Sequence, residues 1–304
     1  MIKLSIITIN YNNAEGLRKT LASVASQTYA DIEHVIVDGG STDGSVEVIR
    51  EYEQSLASCL SPLASRLKWI SEKDKGIYNA MNKGIRIATG EYIQILNSGD
   101  ILAADDVTER MFQAMGNGQW TIDNETNRQS PIANRPQIPI FYGNMIKEYP
   151  DGRRVKDTCG GGDYTPESFY YFYRGTLNHD CAYIRRDLFE KYGLYNEDMK
   201  ICSDWEWYVR AIVLGGEKTV YTNIDVTIFD MTGISESNGK NRELIQKERR
   251  EYLESILPVA VLRDYDMFSL PIEQYRRLKK YHLWGVVYFV ERVLFKLEKW
   301  FKFT

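Results

Sequence analysis

The apolar and polar positions of the first 115 residues change period again and again. Residues 4–9 are largely apolar and β-branched, and polar Asn10-Tyr11-Asn12-Asn13 follows. Leu17, Leu21, Val24 and Thr28 then recur at helical spacing. A second strand is predicted at His34-Val35-Ile36-Val37. It leads through a glycine-rich turn into a helix marked by Val46, Ile49, Tyr52 and Leu56. Residues 67–70 predict a third strand before a helix over 77–88. Residues 92–96 predict a fourth strand before a helix over 107–115. Strands with apolar residues on both faces, alternating with helices, imply parallel pairing and right-handed crossovers. The expected fold class is therefore α/β, with a doubly wound sheet in this half.

Beyond it the pattern breaks. Residues 116–139 are rich in Pro, Asn and Gln and read as a long surface excursion. A strand is expected at 141–147, with Tyr149-Pro150-Asp151-Gly152 as a hairpin turn. Gly160-Gly161-Gly162 reads as a joint, and residues 185–192, 203–214 and 243–256 read as helices. Residues 220–229 read as extended, and 272–303 as a long amphipathic helix or a helix pair.

Composition narrows the classes. The 304 residues are 43% apolar and 26% charged, an ordinary globular balance. The net charge of −4 argues against a general nucleic-acid binder. Residues 272–304 carry eight basic and three acidic side chains, so the rest of the chain is more acidic than the total suggests. Cys59, Cys159, Cys181 and Cys202 show no paired spacing, and there are three His, which disfavours both a disulfide scaffold and a zinc cluster. No uncharged apolar run reaches the ~18 residues of a membrane span. The chain opens on a strand rather than a secretion signal, so a cytoplasmic protein is expected.

Two strand ends carry candidate chemistry: Thr8-Ile9-Asn10-Tyr11-Asn12 and Val37-Asp38-Gly39-Gly40-Ser41-Thr42-Asp43-Gly44-Ser45. In open α/β sheets ligands bind beyond the carboxyl ends of strands. A carboxylate such as Asp38 is suited to accept from the imide N–H of uracil; a capped turn is the plainer alternative. Neither a dinucleotide GxGxxG nor a P-loop is present. Leu96-Asn97-Ser98-Gly99-Asp100 places oxygen ligands at another strand end, as Mg²⁺ or Mn²⁺ with phosphate oxygens would need. A capped turn again explains it equally well.

Together with Asp74-Lys75-Gly76-Ile77-Tyr78-Asn79-Ala80-Met81-Asn82-Lys83-Gly84 and Ser203-Asp204-Trp205-Glu206, these segments resemble the family 2 glycosyltransferases over residues 2–240. The resemblance implies the GT-A fold: a mostly parallel sheet with a smaller antiparallel acceptor-side part. It implies a catalytic domain over 1–240, nucleotide-binding over 1–115 and acceptor-binding over 140–240, with 241–304 a helical extension. It assigns Thr8, Asn10, Tyr11 and Asp38 to the nucleobase, and Asp43 to the ribose–phosphate side. Asp74, Lys75, Gly76 and Asn79 would line the diphosphate and sugar, beside Asn97 and Ser98. Asp100 would bind Mn²⁺ or Mg²⁺, although Asn97 and Gly99 stand where carboxylates are common. Asp204 would be the general base of an inverting transfer, with Glu206 in reserve; a helix-capping acid is the alternative. His179 would touch the acceptor or the metal-bound diphosphate, a structural histidine bonded to backbone being the alternative; Trp205 and Trp207 are candidate stacking platforms for a sugar ring, with core packing the competing use. Residues 230–239 resemble a mobile closing loop.

The implied partners are a nucleotide-sugar, UDP by default, and a glycan or lipid-linked acceptor. The basic aromatic tail over 272–304 suits peripheral contact with the inner face of the cytoplasmic membrane, packing on the catalytic domain, or a homodimer. A non-catalytic nucleotide-sugar binder on the same scaffold is the second reading, motivated by the altered Asn97-Ser98-Gly99-Asp100. A nucleotidyltransferase would need a basic, glycine-rich triphosphate loop that the N-terminal region lacks.

Overall fold

A computed structural model describes residues 3–117, 138–159, 167–231 and 241–302. The first half runs β1 (Leu4–Asn10), α1 (Ala14–Ala25), β2 (Ile32–Asp38), α2 (Ser45–Ser58), β3 (Leu67–Ser71), α3 (Ile77–Ile87), β4 (Tyr92–Ile95), β5 (Ile101–Leu102) and α4 (Val107–Asn117). Then come β6 (Ile140–Glu148), β7 (Arg154–Asp157), α5 (Phe169–Arg174), β8 (Ala182–Arg185), α6 (Asp187–Tyr192), α7 (Ser203–Tyr208), β9 (Thr219–Asp230), α8 (Arg242–Ile256), α9 (Val259–Lys280) and α10 (Trp284–Lys302).

One sheet has the order β3-β2-β1-β4-β8-β6-β9-β5, with β7 added to β6. β1 to β4 are parallel. β1 and β2 are buried along their whole length, which is why their sequences read as continuous rather than alternating. α3 packs so closely on β1 that a Cβ at Gly84 would stand 2.3 Å from Ile7 Cγ2. The chain leaves β1 for β2 and β3 on one side and returns to β4 on the other. That reversal opens the crevice at the carboxyl ends of β1 and β4. The expected second half is also present: β8 is antiparallel to both β4 and β6, and β6 pairs with β7 through the Tyr149–Gly152 turn. One difference is that β9 runs parallel to β6, with a register irregularity around Gly143. A Cβ there would lie 2.2 Å from Ile224 O, so the two strands meet in a way only glycine permits.

The helix expected over 203–214 divides. α7 ends at Tyr208, and Val209–Leu214 forms a π-helical turn. The tail is a helix pair, but α9 begins earlier than expected, at Val259, and contains Pro271. The chain forms two compact units, Met1–Arg249 and Arg250–Thr304, dividing within α8. No described helix is long and apolar enough to cross a membrane. Most of the 116–139 excursion, the Gly160-Gly161-Gly162 joint and nearly all of the 230–239 loop lie outside the described residues.

Candidate active site

The ends of β1, β2 and β3 are tied together by one carboxylate. Asp38 accepts from Asn10 Nδ2 at 2.8 Å, Ser41 N at 3.0 Å, Ser41 Oγ at 2.5 Å and Ser71 Oγ at 2.6 Å. Burial pushes its pKa up, but the hydrogen bonds from Ser41, Ser71 and Asn10 outweigh that and hold it below the ordinary value. Asp38 is 0% exposed, so it braces the strand ends rather than facing the crevice. Thr8 is likewise fully buried, with Oγ1 3.0 Å from His34 Nε2, so its hydroxyl does not reach a donor. Asp43 accepts from Ala14 N at 2.8 Å and Ser45 Oγ at 2.6 Å, joining the starts of α1 and α2. Tyr11 projects, 65% exposed, at the rim. Past β3, Asp74 is half-buried beside Gly39 and accepts from Gly76 N at 2.9 Å. Lys75 and Gly76 are exposed, whereas Asn79 donates to Glu197 at 2.7 Å.

Across the crevice, the turn after β4 is zipped to β1: Ser98 N donates to Ile9 O at 3.0 Å and Asn13 Nδ2 to Ser98 O at 3.0 Å. Thr20 Oγ1 donates to Asp100 O at 2.7 Å and accepts from Gly99 N at 3.0 Å. Gly99 has φ +109, a conformation that suits glycine. Asp100 is only 4% exposed and accepts from Asp230 N at 3.0 Å. Burial, and then the charge of Asp180, drive its pKa well up. Asp180 is buried too and accepts from Thr227 Oγ1 at 2.6 Å. Asn97 Oδ1 is buried with no hydrogen-bond partner. Crowded, buried oxygen acceptors of this kind suit a hard divalent cation whose remaining ligands come from a diphosphate. Among the described residues no three His, Cys, Asp or Glu side chains cluster as a metal site.

Asp204 stands in the first turn of α7. Its Oδ2 is 3.0 Å from His179 Nδ1, and its Oδ1 accepts from the Tyr78 hydroxyl at 3.1 Å. His179 Nε2 in turn lies 3.2 Å from Asn97 Nδ2. Burial pushes the Asp204 pKa up, but the His179 hydrogen bond and charge, with Trp205 N and Tyr78, more than offset this and lower it. Burial pulls His179 down, but the Asp204 hydrogen bond and the charges of Asp204, Asp180 and Asp100 outweigh it and raise its pKa. Both side chains remain about one-seventh exposed, at 15% and 16%. Asp204 is thus a charged carboxylate that is aimed and still reachable.

The loop before Asp204 is held from α8. Glu248 accepts from Lys200 N at 2.7 Å, Ile201 N at 3.1 Å and Cys202 N at 3.0 Å. The Tyr78 hydroxyl lies nearer to Ile201 O than to Asp204, so its one proton is shared between the carbonyl and the carboxylate. Glu206 is bound to Arg210 through both oxygens, at 3.0 and 2.9 Å, and buried, which takes it out of reach as a reserve base. Trp205 and Trp207 are core residues whose indole N–H groups donate to Phe172 O and Gly193 O, each at 2.8 Å. They offer no face to a sugar.

The structure therefore gathers Asp204, His179, Asn97 and Tyr78 directly, with Asp100 beside them, from segments more than 100 residues apart. Reasoning from sequence missed the clamping role of Tyr78, the buried Asp180 and the brace at Glu248. Tyr78 lay inside a quoted motif and Asp180 directly follows the candidate His179, whereas Glu248 is one of many acidic residues on an ordinary helix pattern.

With this geometry in place, comparison with known proteins gives one answer. The family model described as "Glycosyl transferase family 2" matches residues 5–193. An uncharacterized glycosyltransferase of Mycobacterium tuberculosis is 28% identical over 243 residues, covering 79% of this chain and 78% of the relative. A PGL/p-HBAD biosynthesis glycosyltransferase of Mycobacterium bovis is 27% identical over 245 residues, 80% of this chain and 81% of the relative. Among solved structures, S. aureus TarS 1–349 in complex with UDP aligns with a TM-score of 0.55 at 17% identity. That alignment takes in 75% of this chain and spans 60% of the TarS chain. Mannosyltransferase PcManGT from Pyrobaculum calidifontis, in complex with GDP-Man and Mn2+, aligns with a TM-score of 0.50 at 20% identity, over 75% of this chain and 56% of its own.

Proposed function

The chain belongs to glycosyl transferase family 2 and is a transferase, and from that premise we propose that it moves a sugar from a nucleotide-sugar to an acceptor hydroxyl with inversion, Asp204 acting as base. The observation that carries this reading is the Asp204–His179–Asn97 chain, which sets a charged carboxylate beside the strand-end turn of Asp100. A sugar hydroxyl is a weak nucleophile at neutral pH. Asp204 takes its proton as the oxygen attacks the anomeric carbon. The new C–O bond forms as the bond to the diphosphate breaks on the opposite face, and the electron pair leaves with the nucleoside diphosphate. His179 and Tyr78 keep Asp204 oriented, so the proton transfer needs little rearrangement.

The nucleotide lies over residues 1–115 and the acceptor over 140–240, with 241–304 a helical extension that touches the chemistry through the Glu248 brace on the Asp204 loop. UDP is the default nucleotide and a surface glycan, free or lipid-linked, the acceptor. Asp100 and Asn97 Oδ1 would hold Mn²⁺ or Mg²⁺. When bound, that cation neutralises charge on the departing diphosphate. Lys75, exposed near α3, supplies a further positive charge on that side. Residues 272–304 hold the enzyme to the inner face of the cytoplasmic membrane, the homodimer being the competing use of that tail.

Calorimetric titration with UDP, GDP and dTDP, with and without Mn²⁺, tests the donor side. The expected result is tight binding of one nucleotide that weakens without Mn²⁺ and in Asp100→Ala. Absence of binding to all three would count against the nucleotide-sugar reading itself.

A further inference from the structure

A nucleobase is recognised at its hydrogen-bonding edge, and something at the strand ends must accept its N–H. The carboxylate expected to do so, Asp38, has no capacity left. It is 0% exposed, and Asn10, Ser41 and Ser71 already supply its donors. The next residue, Gly39, carries no side chain, yet the space in front of it is filled. A Cβ there would stand 2.4 Å from Asp74 Oδ2 and 3.1 Å from Tyr11 Cδ2. The Asp74 carboxylate thus reaches over from beyond β3 to the end of β2, beside the exposed Tyr11 ring.

That position is fixed on both sides. Glu72 N donates to Asp38 O at 3.0 Å, which carries the chain past β3 against the end of β2. Asp74 Oδ1 accepts from Gly76 N at 2.9 Å, and Oδ2 then faces Gly39 with no hydrogen-bond partner among the described residues. The site combines a half-buried acceptor oxygen with the exposed face of an aromatic ring, as an aromatic heterocycle requires. A carboxylate also repels a diphosphate, so this position fits the base better than the phosphate side to which the motif resemblance assigned it.

We propose that Asp74 reads the nucleobase of the donor, its Oδ2 accepting the N–H at the centre of the base's pairing edge while Tyr11 supports the ring. This rests on the nucleotide-sugar reading above. An ionised carboxylate only accepts. Uracil and thymine present N3–H and guanine presents N1–H, whereas cytosine N3 and adenine N1 are themselves acceptors and meet repulsion. Gly39 is part of the device, because any side chain there displaces the carboxylate.

The test titrates the full-length protein calorimetrically with UDP, CDP, GDP and ADP. Wild type, Asp74→Asn and Gly39→Ala are compared, with circular dichroism as the check on folding. Wild type is expected to prefer UDP over CDP, or GDP over ADP, by about a hundredfold, as polar mismatches allow. Asp74→Asn has an amide that donates as well as accepts, so it should compress that ratio at least about tenfold and raise CDP or ADP binding outright. Gly39→Ala should weaken the preferred nucleotide and narrow the same ratio. An unchanged ratio in Asp74→Asn, or equal losses for both bases, would overturn the assignment of base reading to Asp74. If wild type binds none of the four nucleotides and no dTDP either, the nucleotide-sugar reading fails and this inference with it.

Discussion

Asp204 and His34 show how one fold treats buried polar groups in opposite ways. Asp204 keeps its charge because His179 and Tyr78 satisfy both oxygens. His34 lies wholly inside the sheet between Thr8 Oγ1 and the Tyr52 hydroxyl, and burial lowers its pKa from 6.5 to about 3. Below pH 6.5 the unfolded chain binds a proton there that the folded chain refuses. Folding stability should therefore fall as pH drops from 6.5 towards 3, by up to about 1.4 kcal/mol per pH unit from this group. Urea unfolding between pH 7 and 5 checks it: the slope should be shallower in His34→Gln, and an equal slope would remove His34 as its source. The places of Asp100 and Asp204, at a strand end and a helix start, were legible in sequence, but the roles expected of them came from the family resemblance, since a capped turn and a helix-capping acid were the open alternatives. The loss of Asp38, Thr8, Trp205 and Glu206 as ligand-facing groups was not legible. Each is committed to a partner that the linear sequence does not mark, as Asp38 is to Ser71, 33 residues on.

Among elements, the parallel half was the most legible, since buried strands and amphipathic helices write their periods plainly. The parallel β6–β9 pair and the π-helical turn after α7 were not, because both answer to contacts made elsewhere: Gly143 against Ile224 O, and Arg210 against Glu206 and Leu194 O. Two elements offer direct tests. α3 lies on β1 with Gly84 against Ile7, so Gly84→Ala should cost about 1–3 kcal/mol by overpacking, read as a lowered Tm. α8 holds the Asp204 loop through Glu248, whose loss leaves three backbone N–H groups of residues 200–202 without their acceptor. Glu248→Ala should lower kcat about ten- to a hundredfold through misplacement of Asp204 while nucleotide Kd stays unchanged. A parallel loss of nucleotide affinity would instead mark a general structural brace.

At the scale of the whole chain, the Arg250–Thr304 unit has its own character. On α10, Val286, Val290, Val293, Leu294 and Leu297 share one face, and all are at least 40% exposed. Lys296 stands to one side of that face, with Arg292 further round the helix, in a chain of net negative charge. This pattern suits a lipid surface with anionic headgroups. The full-length protein should float with phosphatidylglycerol vesicles, less with phosphatidylcholine, and less again at high salt. Salt-insensitive self-association without vesicle binding would turn the face into a dimer seam. The tail's amphipathic pattern was readable in sequence, but the division inside α8 was not, since one unbroken helix crosses it.

If Asp204 is the base of a glycosyl transfer, water as a simple acceptor should reveal it. The most direct measurement is release of nucleoside diphosphate from a panel of nucleotide-sugars by wild type and Asp204→Asn, with nucleotide Kd measured beside it. Release from one donor class that falls at least about a hundredfold in Asp204→Asn, at unchanged Kd, is the predicted result. Equal release by the two proteins would remove Asp204 as the base.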